Sequence, residues 1–151
     1  MKDITIDYAL RATWQAVARM YNEEAKRFDT TMAVGFTLLS IDPKTGTPST
    51  ALGPKMGMEA TSLSRILKSM EEKGLIERRP NPEDGRGVLI HLTEFGLEKR
   101  KDSKDVVLRF NEAVRAEATQ AELDGFFAVI RKVNHLIAEK KIYKKENESK
   151  V

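Results

Sequence analysis

EATSLSRILKSMEEKG, residues Glu59–Gly74, is the stretch on which the reading of the chain turns. Leu63, Ile66, Leu67 and Met70 recur at steps of three and four, which predicts an α-helix with one apolar stripe. Thr61, Ser62, Ser64, Arg65, Lys68 and Ser69 fill the other side with short hydroxyls and two cations. Hydroxyls permit close approach, and Arg and Lys reach phosphates or guanine edges, so this face suits the major groove of DNA. An amphipathic helix with a merely solvated outer face shows the same pattern, and the helix alone does not separate the two readings.

Its neighbours do. Thr47-Pro48 reads as an N-cap followed by proline at the first helical position, opening a short helix through Ala51, Leu52, Lys55 and Met56. Gly57 ends that helix in a sharp turn. Helix, glycine turn and second helix form the helix-turn-helix pattern, in which the second helix reads the groove. Glu59, at the start of that second helix, suits the helix dipole but repels phosphates. Downstream, Gly74 is expected to close the helix, and Leu75–Arg79 reads as a short strand. Asn81–Gly87 is dense in turn formers, and Val88–Leu92 returns as a second strand with Val88, Ile90 and Leu92 on one face. Two strands after a helix-turn-helix make a wing. Arg86 near its tip suits a narrow minor groove, whose negative potential attracts arginine; a solvated pair with Asp84 is the alternative.

The run LSRILKSMEEKGLIERRPNPEDGRGVLIHLTEFG, Leu63–Gly96, resembles the winged helix of the MarR family, dimeric bacterial regulators named for multiple antibiotic resistance. The resemblance rests on the helix ending EEKGLIERR, the wing motif Asp84-Gly85-Arg86, and Leu-Thr-x-x-Gly at Leu92–Gly96, in that order and at the family's spacing. Glu59 departs from the Asp or Ser that relatives often carry there, and the glycines flanking Arg86 depart towards a more mobile wing. The resemblance implies a mainly α fold: a winged helix-turn-helix with N- and C-terminal dimerisation helices and a two-stranded wing. The expected layout is one domain over 1–151, with dimerisation helices at 7–28 and 119–139, the winged helix-turn-helix at 30–93, a long linking helix at 93–118 and a frayed tail at 140–151. Expected DNA contacts are Thr61, Ser62, Ser64, Arg65, Lys68 and Arg86, with Asp84 supporting the wing. The family pattern further implies a homodimer that sets two reading helices ~34 Å apart on a pseudo-palindromic site of double-stranded DNA. It implies repression by occupancy, relieved by a small aromatic or lipophilic acid.

Composition fits this picture without deciding it. The 151 residues are 32% charged and 40% hydrophobic, the balance of a globular domain. Net charge is +3 and the pI about 9.1, at the edge of the range expected for a nucleic-acid-binding domain. There is no cysteine, hence no disulfide, thiolate metal site or thiol sensor. No apolar run approaches the ~20 residues of a membrane span, and MKDITIDYAL has no signal-like core, so a cytoplasmic protein without a membrane partner is expected.

The flanks are read from their periodicity. Leu10, Trp14, Val17, Tyr21, Ala25 and Phe28 form one stripe of the first helix, and Ala9, Thr13, Ala16 and Met20 a second, which calls for two packing partners. Trp14 and Tyr21 are candidate ligand-cavity residues, although aromatics at helical spacing ordinarily build core. Thr30-Thr31 caps a helix over Met32–Ile41 with Phe36 and Leu39 expected inward. Thr93 caps the long linking helix, and Thr119–Glu122 is a capping box ahead of a stripe of Leu123, Phe126, Phe127, Ile130, Val133 and Ile137.

Catalysis finds no support. His91 and His135 lack cysteine or histidine partners at ligand spacing, and no phosphate loop, dinucleotide fingerprint or nucleophile elbow occurs. No cofactor and no metal are expected. The rival to a DNA-binding regulator is a winged helix used only for protein–protein contact, because fold does not fix function.

Overall fold

Capping residues and left-handed glycines set the element boundaries. The computed structural model describes residues 4–143, without the side chain of Arg86; the expected tail beyond residue 143 lies outside the described residues. The elements are α1 (Ile6–Lys26), α2 (Met32–Ser40), β1 (Thr47–Pro48), α3 (Ser49–Met56), α4 (Ala60–Glu72), β2 (Ile76–Asn81), β3 (Asp84–Leu92), α5 (Glu94–Glu117) and α6 (Gln120–Ala138). The chain divides into two compact units, Met1–Leu108 and Arg109–Val151, with α5 shared between them.

In the first unit, Thr31 caps α2 by accepting a bond from the Val34 N–H at 3.2 Å. The core gathers Val34, Leu38 and Ile41 from α2 and its end, Leu52 from α3, Leu63, Leu67 and Met70 from α4, and Leu75, Ile76 and Ile90 from the sheet side. Phe36 and Leu39, expected inward, are only half-buried, and Val34, Thr37 and Leu38 take the buried face. The reason is that α2 is apolar on every side and contacts α1, α3 and α4, so periodicity does not single out one face. Phe36 turns instead to α1, edge-on to Tyr21 with ring centroids 5.7 Å apart and stacked on Trp14 at 6.5 Å.

The wing is a two-stranded hairpin of β2 and β3, paired antiparallel from Ile76↔Leu92 to Pro80↔Val88 and, after a register shift, Asn81↔Asp84. The strands run into the 81–87 stretch expected as turn and leave Pro82 and Glu83 at the tip of the hairpin. A third strand, β1, joins it in the order β1-β3-β2, with Thr47 opposite Ile90 and Pro48 opposite Leu89. Thr47 is therefore not a helix cap. Its hydroxyl accepts the Asp42 N–H at 2.9 Å, and Pro48, with extended ψ of 135°, occupies the cap position of α3. A two-residue strand leaves too little alternation to be read from sequence.

The joint between wing, α4 and α5 is built from the Leu-Thr-x-x-Gly motif. Gly74, at φ 75°, ends α4 in the left-handed conformation that favours glycine, and the Leu75 N–H returns to the Met70 carbonyl at 2.9 Å. Thr93 donates its hydroxyl to the Gly74 carbonyl at 2.6 Å and its N–H to the Leu75 carbonyl at 3.1 Å. The same hydroxyl accepts the Gly96 N–H at 3.0 Å, which caps α5. The helix sits so close that a Cβ on Gly96 would lie 2.0 Å from the Leu75 carbonyl oxygen.

In the second unit, Thr119 and Glu122 form a reciprocal capping box at 3.1 and 3.0 Å, opening α6. The bond from the Thr119 N–H, with a smaller contribution from its hydroxyl, holds the Glu122 carboxyl below its ordinary pKa. No residue of α6 is buried, and Phe126 and Ile137 are 55% and 58% exposed. In the first unit, Ile6, Tyr8, Leu10 and Trp14 leave the N-terminal half of α1 similarly uncovered. Among the described residues no helix is long and apolar enough to cross a membrane.

The Gly96 joint has a direct test. Gly96→Ala is expected to cost about 3 kcal/mol of unfolding free energy, since backbone must move to admit the methyl. Gly57→Ala, at φ 64° with open space around it, is expected to cost only about 1 kcal/mol. Urea denaturation of both variants ranks the two; equal losses would show that the close approach at Gly96 is not a packing constraint.

Candidate nucleic-acid interface

The surface is assembled by a short first helix that aims the second. Leu52 and Gly53 of α3 are buried, and a Cβ on Gly53 would come within 3.2 Å of the Met58 carbonyl, so the turn closes tightly against this helix. Gly57 closes α3 in the left-handed conformation, and its N–H reaches the Pro54 carbonyl at 3.3 Å. Lys55 donates to the Ser40 carbonyl at 2.7 Å, tying α3 to the end of α2. This frame fixes where α4 begins.

On α4 the two faces separate as the spacing requires. Leu63, Leu67 and Met70 are buried and Ile66 half-buried, whereas Thr61, Ser62, Ser64, Arg65 and Lys68 are all exposed. The structure thus brings five of the sequence-derived contact residues onto one open surface. Glu59 stands at the cap position without a side-chain capping bond. Among the described residues, neither Arg65 nor Lys68 takes part in an ion pair.

The wing extends that surface. At its tip the Glu83 N–H donates to the Asn81 side chain at 3.0 Å, and the Asp84 carboxylate lies over Gly87, 3.3 Å from where a Cβ would stand. Arg86 belongs to β3 by its backbone, and its side chain lies outside the described residues. Two further arginines are not open cations. Arg78 pairs with Glu71 of the last turn of α4 at 3.2 Å, and Arg79 pairs with Glu77, its Nε donating at 2.8 Å. Neither pairing was read from the sequence. One signal was available: Glu77 and Arg79 sit two apart on a strand, hence on the same side.

Tyr21 and Trp14 part company. Tyr21 lines a small cleft of about 40 Å³ in the first unit, together with Phe28, Phe36, Leu39, Lys99 and Asp102. Burial pushes the Tyr21 phenol above its ordinary pKa. Lys99 donates to the Phe28 carbonyl at 3.3 Å and lies 5.6 Å from the Phe95 ring centroid. Trp14 is not part of that lining and is 53% exposed. The histidines do not converge on a site: His91 packs over Gly46, and His135 is exposed on α6. Among the described residues no group of acidic or histidine side chains is arranged to hold a metal ion.

Residues 31–88, from the cap of α2 into β3, match the model of the MarR family. The winged helix of this chain is similar to that of the MarR family. The multiple antibiotic resistance protein MarR of Escherichia coli is 36% identical over 78 residues, covering 52% of this chain and 54% of that protein. The uncharacterized HTH-type transcriptional regulator YdgJ of Bacillus subtilis is 35% identical over 71 residues, covering 47% of this chain and 43% of its own length. The matched segments therefore span about half the length of these relatives or less. Similarity of fold extends further: the crystal structure of a mutant E. coli MarR complexed with operator DNA superposes with a TM-score of 0.75 at 26% identity, over 85% of this chain and 92% of that one.

The division of labour on α4 predicts a clean separation of folding from surface. Leu67→Ala is expected to cost about 2–5 kcal/mol through the cavity it leaves. Arg65→Ala and Lys68→Ala are expected to stay within about 0.5 kcal/mol of the parent. Chemical denaturation checks this; a large loss at Arg65 would mean that it packs as part of the fold.

Proposed function

We propose that the chain is a sequence-specific DNA-binding transcriptional regulator, acting as a homodimeric, ligand-responsive repressor on a pseudo-palindromic operator. The observation that carries this reading is the exposed row Thr61, Ser62, Ser64, Arg65 and Lys68 on the second helix of a helix-turn-helix. Short hydroxyls and uncommitted cations on a helix held by its apolar back are what major-groove readout requires. Arg86 and Asp84, at the wing motif, are assigned to minor-groove contact and wing support. That MarR has been captured with operator DNA adds support from a relative.

Dimerisation is assigned to α1 and α6, each of which leaves large apolar side chains in water within its own unit. The Tyr21 cleft, with aromatic walls and the Lys99 ammonium, suits a small aromatic or lipophilic acid; Trp14 stacks on the outer side of Phe36. Such a ligand relieves repression only by the difference in its affinity for the DNA-competent and incompetent forms. The regulator needs no catalytic chemistry and no cofactor, and works on DNA in the cytoplasm.

Selection of binding sites from random duplex DNA tests this reading. The expected outcome is an inverted repeat bound by a dimer. On that site Arg65→Ala is expected to cost about 1–3 kcal/mol and relax one base position, and Arg86→Ala to lower the salt slope by about one. If no duplex outcompetes bulk carrier at moderate salt, the DNA reading fails and the winged helix serves protein contact instead.

A further inference from the structure

Within the winged helix the cations are of two kinds. Arg65 and Lys68 of α4 are exposed and, among the described residues, outside any ion pair. Arg78 and Arg79 of β2 are exposed as well, yet each is met by its own carboxylate, Glu71 at 3.2 Å and Glu77 through the Arg79 Nε at 2.8 Å. The pairs point in different directions. Arg78 stands opposite the buried Ile90, on the core-facing side of the hairpin, and reaches the last turn of α4; Arg79 stands opposite Leu89 on the outer side, beside Glu77.

Resting on the DNA-binding reading above, we propose that Glu71 and Glu77 are specificity-determining residues: they withhold Arg78 and Arg79 from the phosphate backbone. Non-specific affinity grows with each phosphate that a cation neutralises, because counterions are released whatever the sequence. A wing strand with two open arginines beside a reading helix raises binding to every duplex and dilutes discrimination by α4. An exposed ion pair is weak, but the pair is only half of the device. For Arg79 to turn to a phosphate, Glu77 must be left uncompensated beside a polyanion, and that like-charge approach opposes the exchange. Glu71 adds the same opposition at the C-terminus of α4, where the helix dipole is already negative. The wing thus keeps its arginines while presenting little net charge, and sequence readout stays with Ser62, Ser64 and Arg65.

The test uses the full chain, a duplex recovered by site selection and a random duplex of equal length, with binding followed by fluorescence anisotropy across a salt series. Glu77→Gln and Glu71→Gln, alone and together, keep side-chain size while removing the charge. Each is expected to tighten random-duplex binding and steepen its salt dependence by up to ~0.9 per freed arginine per protomer, so that the operator-to-random ratio falls several-fold in the double variant. In the otherwise unchanged chain, Arg78→Ala with Arg79→Ala is expected to leave both salt slopes where they were. Loss of slope in that arginine variant shows that the arginines already touch phosphate and overturns the inference. Unchanged random-duplex binding in the glutamine variants also overturns it, provided that circular dichroism shows them folded. If the unmodified chain prefers no duplex at all, the DNA-binding reading falls and takes this inference with it; a selected operator with unmoved variant slopes sinks this inference alone.

Discussion

One hydroxyl holds the architecture together. The Thr93 side chain donates to the Gly74 carbonyl just after α4 and accepts from the Gly96 N–H in the first turn of α5, at 2.6 and 3.0 Å. Its backbone N–H takes the next carbonyl along, that of Leu75. Three backbone groups at the junction of helix, strand and helix are thereby satisfied by one residue, where each left unpaired would cost about 1–3 kcal/mol. The close approach at Gly96 follows, because α5 can start only where no Cβ stands against the Leu75 carbonyl. Since that carbonyl lies between Gly74 and the first residue of β2, the joint fixes the wing and the end of α4 with respect to one another.

This joint explains why the most informative letters lay at the edges of elements rather than within them. Gly74 and Thr93 could be read from sequence because each has few substitutes, a left-handed residue and a hydroxyl cap. Gly96 was marked only by its motif, and its missing Cβ shows in the structure. The stripe of Leu63, Leu67 and Met70 was legible for a different reason, a strong 3.6-residue period on a helix with one polar face. Where a helix is apolar all round, as α2 is, the same method chose Phe36 and Leu39 although Val34, Thr37 and Leu38 are the buried ones. β1 escaped because two residues carry no period, and Thr-Pro satisfies the signature of a helix start as well as that of a short strand.

The candidate interface divided along the same line. Exposure of Thr61, Ser62, Ser64, Arg65 and Lys68 follows from burial of the opposite stripe, so the helix period alone placed them. The charge state of the wing did not follow, because it depends on which carboxylates reach Arg78 and Arg79 in three dimensions. The wing strand is therefore less positive than its two arginines suggest. What is left open is small, which agrees with a net charge of only +3.

In the proposed account the fold holds the polar face of α4 out to solvent on a rigid apolar back, and the uncovered chain ends are assigned to pairing two copies. A guanine-methylation protection footprint of the chain on a duplex that it selects tests that claim most directly. The account predicts two protected major-groove patches on one face of the duplex, centred about one turn, ~34 Å, apart. A single protected patch, or protection spread evenly along the duplex, would contradict it.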